Sequence, residues 1–332
     1  MQITVYSEKQ HGVWSRFVET SANGTLFHQQ EFLDYHPAGR FQWHHLIFGN
    51  PGEPTAVLPG AIHVDPQGNR VYRSPSGATL GGLAVRPRLG LGRTEELIQA
   101  LAAYVRDQGF VTVALGSVPR IYWSAPDDTL EFVLRNAGFT CTPQLMFYVP
   151  LLPGGSSDIT QLIPAAKRWD FRKSLQQGLE LAQAETPAQI AAFYEVLSLN
   201  KAAHGAAPVH SLEEILRLKE TFNDRIRILC ALKEGVTVAG VYSVGVTPRV
   251  WYTQYIADRP EARGLESTRF VLLHLLQELS QGGIEFLDLG PSVQLPITRR
   301  GGAIFKESVG GFGCERCEWT LAVSKTSSLA LE

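Results

Sequence analysis

Apolar residues recur at helical spacing in two segments that lie far apart in the chain. The first segment, residues 90–116, places five apolar residues on one face of a helix: Leu97, Ile98, Leu101, Ala102 and Val105. The second, residues 264–290, aligns with the first without gaps at an offset of 174 (264 minus 90) and repeats the face with Val271, Leu272, Leu275, Leu276 and Leu279. Each helix is followed by a glycine, Gly109 or Gly283, suited to a positive φ, and then by a short strand. The pattern predicts a duplicated unit of loop, helix and strand.

The similarity between the two halves continues beyond these segments. Residues 127–139 and 301–312 each predict a second amphipathic helix that ends in Gly-Phe, and the strands LMFYV and EWTLAV follow. Between the halves, LLPGGSSD at 151–158 interrupts the periodic pattern with proline, glycine and serine. We therefore expect an α/β (α+β) protein of two tandem domains, 1–150 and 151–332.

Composition places the chain among ordinary globular proteins. Its 332 residues are 44% hydrophobic and 19% charged, with a formal net charge of -2. This balance gives no bulk electrostatic attraction to DNA or to an anionic membrane. The N-terminal residues lack the features of a signal peptide, and no apolar run reaches the roughly 18 residues of a membrane span. We expect a cytoplasmic protein without membrane insertion.

Four cysteines bear on compartment and metal binding. Cys141 and Cys230 lie in apolar, strand-like surroundings that suit small buried thiols, so we expect no structural disulfide. Cys314 and Cys317 form one CxxC, but no second cysteine or histidine pair accompanies it to complete a zinc site. The sequence therefore predicts no metal centre.

The order of elements resembles a known fold. A strand, a glycine loop opening a long helix, a strand, a helix ending in Gly-Phe and a last strand is the order in the acyl-CoA-binding half of GNAT proteins, and here it occurs twice. More specific similarity to FemAB-type GNAT proteins, the superfamily of peptidoglycan-bridge aminoacyltransferases, lies in NGTLFHQQEFLDYHPAGRF, SPSGATLGGL, AAKRWDFRKSLQQGLELA, NKAAHGAAPVHSLEEILRLKETF, VAGVYSV and FKESVGGFG. The resemblance covers nearly the whole chain. It implies two GNAT-like domains, each a mixed central sheet flanked by helices, and transfer of an aminoacyl or acyl group to an amine of a cell-envelope precursor.

The resemblance also implies where a donor would bind. GNAT folds hold the donor pyrophosphate at the start of the long helix, usually with Gln/Arg-x-x-Gly-x-Gly/Ala. This chain offers Gly90 and Gly92 in the first half, and Arg263 and Gly264 followed by the acidic Glu266 in the second; neither fits the signature. The donor is therefore either aminoacyl-tRNA or acyl-CoA, no tightly bound cofactor is expected, and helix packing explains the glycines equally well.

Four residues are candidates for the chemistry of amide formation. In the aminoacyltransferases that this chain resembles, the Phe-Lys position, here Phe305 and Lys306, contributes to the site that stabilises developing negative charge. Asp288 ends a strand of the second repeat where its counterpart is Ala114, so the fold itself does not require the acid. His204 and His210 lie in a Gly/Pro-containing loop, either as proton acceptors or as structural groups. A solvated helix lysine remains the alternative for Lys306.

Other residues are candidates for substrate binding. Arg168, Arg172 and Lys173 form a basic cluster on one predicted helix, suited to the phosphates of a nucleotide-linked acceptor or to solvent, and Phe171, Leu175 and Leu179 are expected in the core behind them. Alternation places Tyr252 and Gln254 on one face of a strand that, by the resemblance, faces the donor carbonyl. Loop residues Arg73, Ser76, Gly77 and Tyr122 line an acceptor cleft or act as loop scaffolding.

Two other functions stay open at this stage. One is acetyl-CoA-dependent N-acetylation of an amino sugar or small amine, and the other is a GNAT-fold binding module without catalysis. The sequence leaves the oligomeric state undetermined.

Overall fold

The chain folds into two compact units. The structure, a computed structural model, describes residues 1–151, 159–294, 297–298 and 300–323. Unit 1 consists of Met1–Gln144 together with the described residues from Glu315 onward, and unit 2 consists of Leu145–Cys314. Both crossings between the units fall inside β-strands, and the last described residues group with unit 1 although the sequence pattern placed them with the second half.

The described residues of unit 1 contribute to two sheets and form four α-helices. Its elements are β1 (Ile3–Val5), α1 (His11–Thr20), α2 (Gln30–Leu33), β2 (Gln42–Trp43), β3 (Leu46–Asn50), β4 (Glu53–Leu58), β5 (Ala61–Val64), β6 (Arg70–Ser74), β7 (Ala84–Val85), α3 (Leu91–Asp107), β8 (Thr112–Gly116), α4 (Thr129–Asn136) and the first half of β9 (Thr140–Pro150). One sheet has the order β1-β3-β4-β7. In the other sheet β8 pairs parallel with β6, and β6 pairs antiparallel with β5.

Unit 2 is a mixed sheet with helices on its faces. Its elements are α5 (Arg168–Leu175), β10 (Glu180–Gln183), α6 (Pro187–Ala202), α7 (Leu212–Thr221), β11 (Ile226–Lys233), β12 (Val236–Gly245), β13 (Val250–Asp258), α8 (Ser267–Gln281), β14 (Phe286–Gln294), β15 (Ile297–Thr298), α9 (Arg300–Ser308) and the start of β16 (Phe312–Ala322). The strand order is β10-β11-β12-β13-β14-β9, with β13 and β14 parallel. Apolar residues of α8 pack on the sheet and form the core of this unit.

The structure confirms the predicted duplication. The apolar faces of α3 and α8 are buried, and Gly109 and Gly283 take positive φ values of 72° and 76° where each helix ends. The strand register repeats as well, because Arg73 pairs with Ala114 in unit 1 and Tyr252 pairs with Asp288 in unit 2. Ala114 and Asp288 are separated by the same offset of 174 residues (288 minus 114) as the aligned helices. The mixed α/β architecture, with a helix-and-strand unit repeated in both halves, is therefore confirmed.

The final strand of each half is shared between the two units: β9 and β16 each contribute one part to unit 1 and the other part to unit 2. The second part of β9, which follows α4 of unit 1, lies beside β14 in unit 2. The second part of β16, which follows α9 of unit 2, pairs antiparallel with β8 in unit 1. Each unit therefore depends on a strand that the chain supplies from the other half of the repeat.

This exchange explains why the cysteine predictions partly fail. Cys141 in β9 and Cys317 in β16 form a disulfide within unit 1 across a sequence separation of 176, so the expectation of no structural disulfide is wrong. Glu315 places a carboxylate oxygen within 4.8 Å of both sulfurs, but the disulfide occupies the two thiols. Cys230 is a buried free thiol as predicted, and burial raises its pKa to about 12.

None of the described helices is long and apolar enough to cross a bilayer.

Candidate active site

The parallel pairing of β13 and β14 ends at the residues that the sequence singled out. Its described register runs from Val250 opposite Phe286 to Tyr252 opposite Asp288. On the other edge of β13, the register with β12 shifts so that Tyr255 opposes Tyr242 and Thr253 opposes Ser243, leaving Gln254 as an extra residue. Such a bulge re-aims side chains and is frequent beside active sites. It also breaks the simple alternation from which a shared face for Tyr252 and Gln254 was predicted.

Lys306 of α9 reaches the middle of β14. Its Nζ donates hydrogen bonds to the carbonyl oxygens of Gly290, at 2.8 Å, and Pro291, at 2.9 Å. Burial lowers the pKa of Lys306 to about 8, and the nearby negative charge of Asp288 opposes that shift. The two carbonyls fix the ammonium in place while one of its three hydrogens has no acceptor among the described residues. Lys306 is therefore a half-buried, oriented cation and differs from a solvated helix lysine.

Asp288 lies on β14 two residues before Gly290, close enough to Lys306 for the two charges to interact. Only 1% of its surface is exposed, and its Oδ1 accepts a 2.6 Å hydrogen bond from the backbone N–H of Gly290. Gly290 takes a φ of 76°, and a Cβ added there would come within 3.3 Å of the Tyr252 hydroxyl. The predicted residues Asp288, Lys306 and Tyr252 thus meet around one glycine turn, with the acid acting as a fixed charge beside the lysine.

His210 lies in a second, buried polar network on β13. Its Nδ1 and the Tyr255 hydroxyl are 2.6 Å apart, and its backbone N–H donates to the same hydroxyl at 3.2 Å. Tyr194 of α6 donates to the His210 carbonyl, and the Lys201 ammonium lies 5.6 Å from the centre of the Tyr255 ring. Tyr194 and Lys201 were missed from the sequence because their contribution depends on how α6 packs against β13. The network couples the 204–210 loop to the strand that carries Tyr252.

His204 belongs to a different cluster from His210. It is exposed, and its Nδ1 donates to the Asn200 carbonyl at 2.7 Å. The Asn200 amide in turn donates to the Asp258 carboxylate at 2.9 Å, while Arg263 Nε lies 3.9 Å from the same carboxylate. Burial raises the pKa of Asp258, and the charge of Arg263 opposes this. The two predicted residues His204 and Arg263 therefore meet at the end of β13 around an acid that sequence reasoning overlooked.

The helix α5 carries the predicted basic cluster. Arg168 Nε donates to the Ile163 carbonyl at 3.1 Å, Arg172 is exposed, and the Lys173 ammonium lies 5.5 Å from the centre of the Trp169 ring. Trp169 is 66% exposed, so the outer face of α5 combines aromatic surface with positive charge.

The inner face of α5 differs from the prediction at one position. Phe171 is fully buried and Leu179 packs against the core, as predicted. Leu175 is 50% exposed, so its assignment to the core is wrong. The reason is that α5 ends at Leu175, and no further turn carries the buried face past it.

The beginnings of the two long helices differ. At α8, Glu266 takes a φ of 53° and its carboxylate pairs with Arg269, whose guanidinium lies 5.5 Å from the Phe305 ring centre. Space is open around Gly264, Gly90 and Gly92, and Gly90 caps α3 with a φ of 77°. An acidic side chain thus sits at the start of the second helix, where a donor phosphate would otherwise be favoured.

The predicted acceptor residues of unit 1 lie near one another in one loop, with one exception. Arg73 pairs with Glu318 at 3.2 Å, the Ser76 hydroxyl is 2.8 Å from His63 Nε2, and the Gly77 carbonyl accepts from His36 Nε2 at 2.7 Å. Tyr122 is buried in a separate short 3-10 turn. The loop from Ser74 to Gly77 is therefore tied down by histidines that the sequence had not connected with it.

Comparisons with known proteins agree with this architecture. Residues 166–306 match the family of acetyltransferase (GNAT) domains. The sequence matches no curated protein. Among solved structures, FemX superposes with a TM-score of 0.70 at 10% identity over 98% of both chains.

Two further structures share the fold. A tandem GNAT protein from the clavulanic acid biosynthesis pathway has a TM-score of 0.57 at 13% identity and covers 98% of this chain and 99% of its own. The C-terminal domain of a putative lysylphosphatidylglycerol synthetase from Agrobacterium fabrum has a TM-score of 0.56 at 14% identity, over 93% and 91% of the two chains. At these identities the likeness concerns the fold. The chain is therefore a tandem GNAT-fold protein, and residues 166–306 of its second half match the acetyltransferase (GNAT) domain family.

Proposed function

We propose that this protein transfers an aminoacyl or acyl group to an amine of a cell-envelope precursor, with the chemistry in unit 2. The observation that carries the proposal is the Lys306 ammonium, which two carbonyls of the β14 turn hold beside Asp288. A GNAT-type acyltransferase fold supports the reaction class, whereas the acceptor rests on the similarity to FemX.

The geometry suits the charge that develops during amide formation. A neutral amine attacks the donor carbonyl, the carbonyl oxygen gains negative charge, and collapse of the intermediate expels the donor's leaving group. The Lys306 ammonium keeps a third hydrogen that can be donated to this oxygen, and partial burial of the lysine strengthens such an interaction. The amine loses its proton to solvent or to the departing group, so Asp288 acts as the electrostatic partner of Lys306 without taking that proton.

The basic face of α5 supports a phosphate-bearing substrate. Arg172 and Lys173 are one helical turn from Arg168, and Trp169 offers an exposed ring that a base or sugar can stack on. A nucleotide-linked acceptor and an aminoacyl-tRNA donor share these groups. Replacing Arg172 and Lys173 together tests whether KM for either substrate depends on them.

The donor is the first property to establish. Glu266 at the start of α8 disfavours a pyrophosphate there, so we place aminoacyl-tRNA ahead of acyl-CoA. The test incubates the full-length protein with a UDP-linked peptidoglycan precursor bearing a free amine, and supplies either labelled alanyl-tRNA or labelled acetyl-CoA. Label on the precursor from alanyl-tRNA alone is the expected result. Transfer from acetyl-CoA alone would establish the N-acetyltransferase alternative, and activity that Lys306→Ala and Asp288→Ala leave intact would contradict the proposed site.

Asp288→Asn is expected to move the pH dependence of transfer. The carboxylate raises the pKa of Lys306, so its removal lowers that pKa below about 8 and the ammonium is lost at a lower pH. The descending limb of kcat/KM should shift down by about one pH unit, as a nearby charge commonly produces. A pH–rate profile of the two proteins measures this shift, and an unmoved or upward-shifted limb would rule out the electrostatic role of Asp288.

A further inference from the structure

Unit 1 contains a cavity at the place in the repeat that the candidate active site occupies in unit 2. The cavity, of about 230 Å³, lies where the parallel pair β6 and β8 ends, and Arg73, Ala114 and Gly116 line it. Ala114 and Gly116 correspond to Asp288 and Gly290 at the offset of 174 residues (290 minus 116). The recess of unit 1 thus lies at the position in the repeat that corresponds to the candidate active site of unit 2.

The recess in unit 1 lacks the groups proposed for catalysis. Alanine stands where unit 2 has Asp288, and counting back from the Gly-Phe that ends each second helix places the buried Val133 where unit 2 has Lys306. A site without an oriented lysine or acid at these positions is suited to binding and is not suited to amide formation.

Two arginines supply the charge of the recess. Arg316 Nη1 donates to the Thr79 carbonyl at 3.0 Å, and its Nη2 bonds the Gln144 side chain, so the guanidinium is fixed at one wall. Arg73 Nη2 contacts both carboxylate oxygens of Glu318, at 3.2 and 3.3 Å. Each guanidinium has five N–H donors, and these bonds use only some of them. Glu318 is the one acidic group among the described lining residues, which leaves the recess a net positive charge.

The floor of the recess is rigid before any ligand binds. The Ser74 hydroxyl accepts a 2.9 Å bond from the backbone N–H of Gly82, and a Cβ on Gly82 would lie 2.0 Å from the Gly116 carbonyl oxygen. A Cβ on Gly81 would likewise collide with Pro75, at 2.8 Å. The loop packs on β8 so closely that only glycine fits, and such preorganisation lowers the entropic cost of binding.

We propose that this recess binds the carboxylate or phosphate group of a small anionic metabolite, with Arg316 and Arg73 as its ligands. Arginine forks bind such oxyanions through paired charge-assisted hydrogen bonds. A bound anion competes with Glu318 for Arg73, so the Glu318 carboxylate weakens anion binding in the recess. The inference concerns unit 1 alone and does not rest on the proposed transferase activity.

The test titrates the full-length protein with succinate and, separately, with inorganic pyrophosphate in an isothermal calorimeter at low salt. Saturable binding of at least one probe is expected, and Arg73→Gln or Arg316→Gln should weaken it by about 10- to 100-fold, the effect of losing one charge-assisted bond. Glu318→Gln should instead tighten it by at least about threefold, because Arg73 is released and a repelling charge is removed. The probe that binds more tightly identifies the oxyanion as carboxylate or phosphate.

Two controls keep the result interpretable. Arg93→Gln removes an exposed arginine of α3 that pairs with Glu96 outside the recess, and it should leave binding unchanged. Because Arg316 also bonds Thr79 and Gln144, a loss of binding in Arg316→Gln counts only if the circular dichroism spectrum of this variant matches that of the parent. Tighter binding in Glu318→Gln cannot arise from unfolding. Failure of both probes to bind, or an equal loss in Arg93→Gln, would overturn the proposal.

Discussion

Lys306→Ala should lower kcat for transfer by about 100- to 1000-fold, the usual effect of removing one group that stabilises an oxyanion. Substrate KM should change little, because the lysine interacts most strongly with charge that appears in the transition state. Lys306→Arg keeps a positive charge that does not titrate in the working range. It should retain part of the activity and lose the descending limb near pH 8 that the lowered pKa of Lys306 gives the parent.

Steady-state kinetics across pH for the three proteins measure these effects once a donor and acceptor are in hand. Lys233→Ala is the matched control, since Lys233 also lies in unit 2 and donates to a backbone carbonyl, that of Gln177 at 2.7 Å, but belongs to β11 outside the site. A Lys306→Ala protein within a few-fold of the parent in kcat would show that the ammonium has no part in the reaction. A descending limb that survives in Lys306→Arg would assign that limb to another group.

Acidification should unfold unit 1 through two buried histidines. Burial lowers the pKa of His28 to about 4 and that of His45 to about 3, from an ordinary value of 6.5. The folded state holds both rings neutral. The stability that the two histidines contribute is therefore fully present above pH 6.5, where the same rings are also neutral in the unfolded chain. It is lost as the pH falls from 6.5 toward the folded pKa values, because only the unfolded state then binds the protons.

The size of this effect is comparable with the stability of a domain. At 1.36 kcal/mol per pH unit, full titration costs about 3 kcal/mol for His28 and about 5 kcal/mol for His45, against about 5–15 kcal/mol for a typical fold. Trp14 reports the transition, since its indole N–H donates to the His28 carbonyl and its ring lies 5.9 Å from His45. Urea titrations followed by tryptophan fluorescence at pH 7 and pH 4.5 measure the loss.

The variants His28→Gln and His45→Gln separate the two contributions. Each should be less stable than the parent at pH 7, where a fitted neutral ring is lost, yet should show a shallower fall in the free energy of unfolding toward pH 4.5. His11→Gln is the control, because the His11 side chain is 43% exposed and pairs with Glu31. An unchanged slope in both buried-site variants would mean that other groups govern the acid transition.

The duplication, the apolar faces of α3 and α8 and the glycines that end both helices could all be predicted from the amino-acid sequence. These features depend on helical period and on positive φ, which residues a few positions apart specify. The sequence also singled out Asp288 from the repeat, Tyr252 from the alternation of the preceding strand and Lys306 from the resemblance to FemAB-type proteins, and the structure brings the three residues together around Gly290.

Tertiary structure alone decided the features that join distant residues. The exchange of β9 and β16, the Cys141–Cys317 disulfide, and the joining of His210 to Tyr255 depend on pairings that local pattern does not encode. Pairing with β12 likewise sets the bulge at Gln254, and the end of α5 sets the exposure of Leu175. Periodicity fixes which side of an element is apolar, whereas the choice of which strand lies beside it is made by long-range packing.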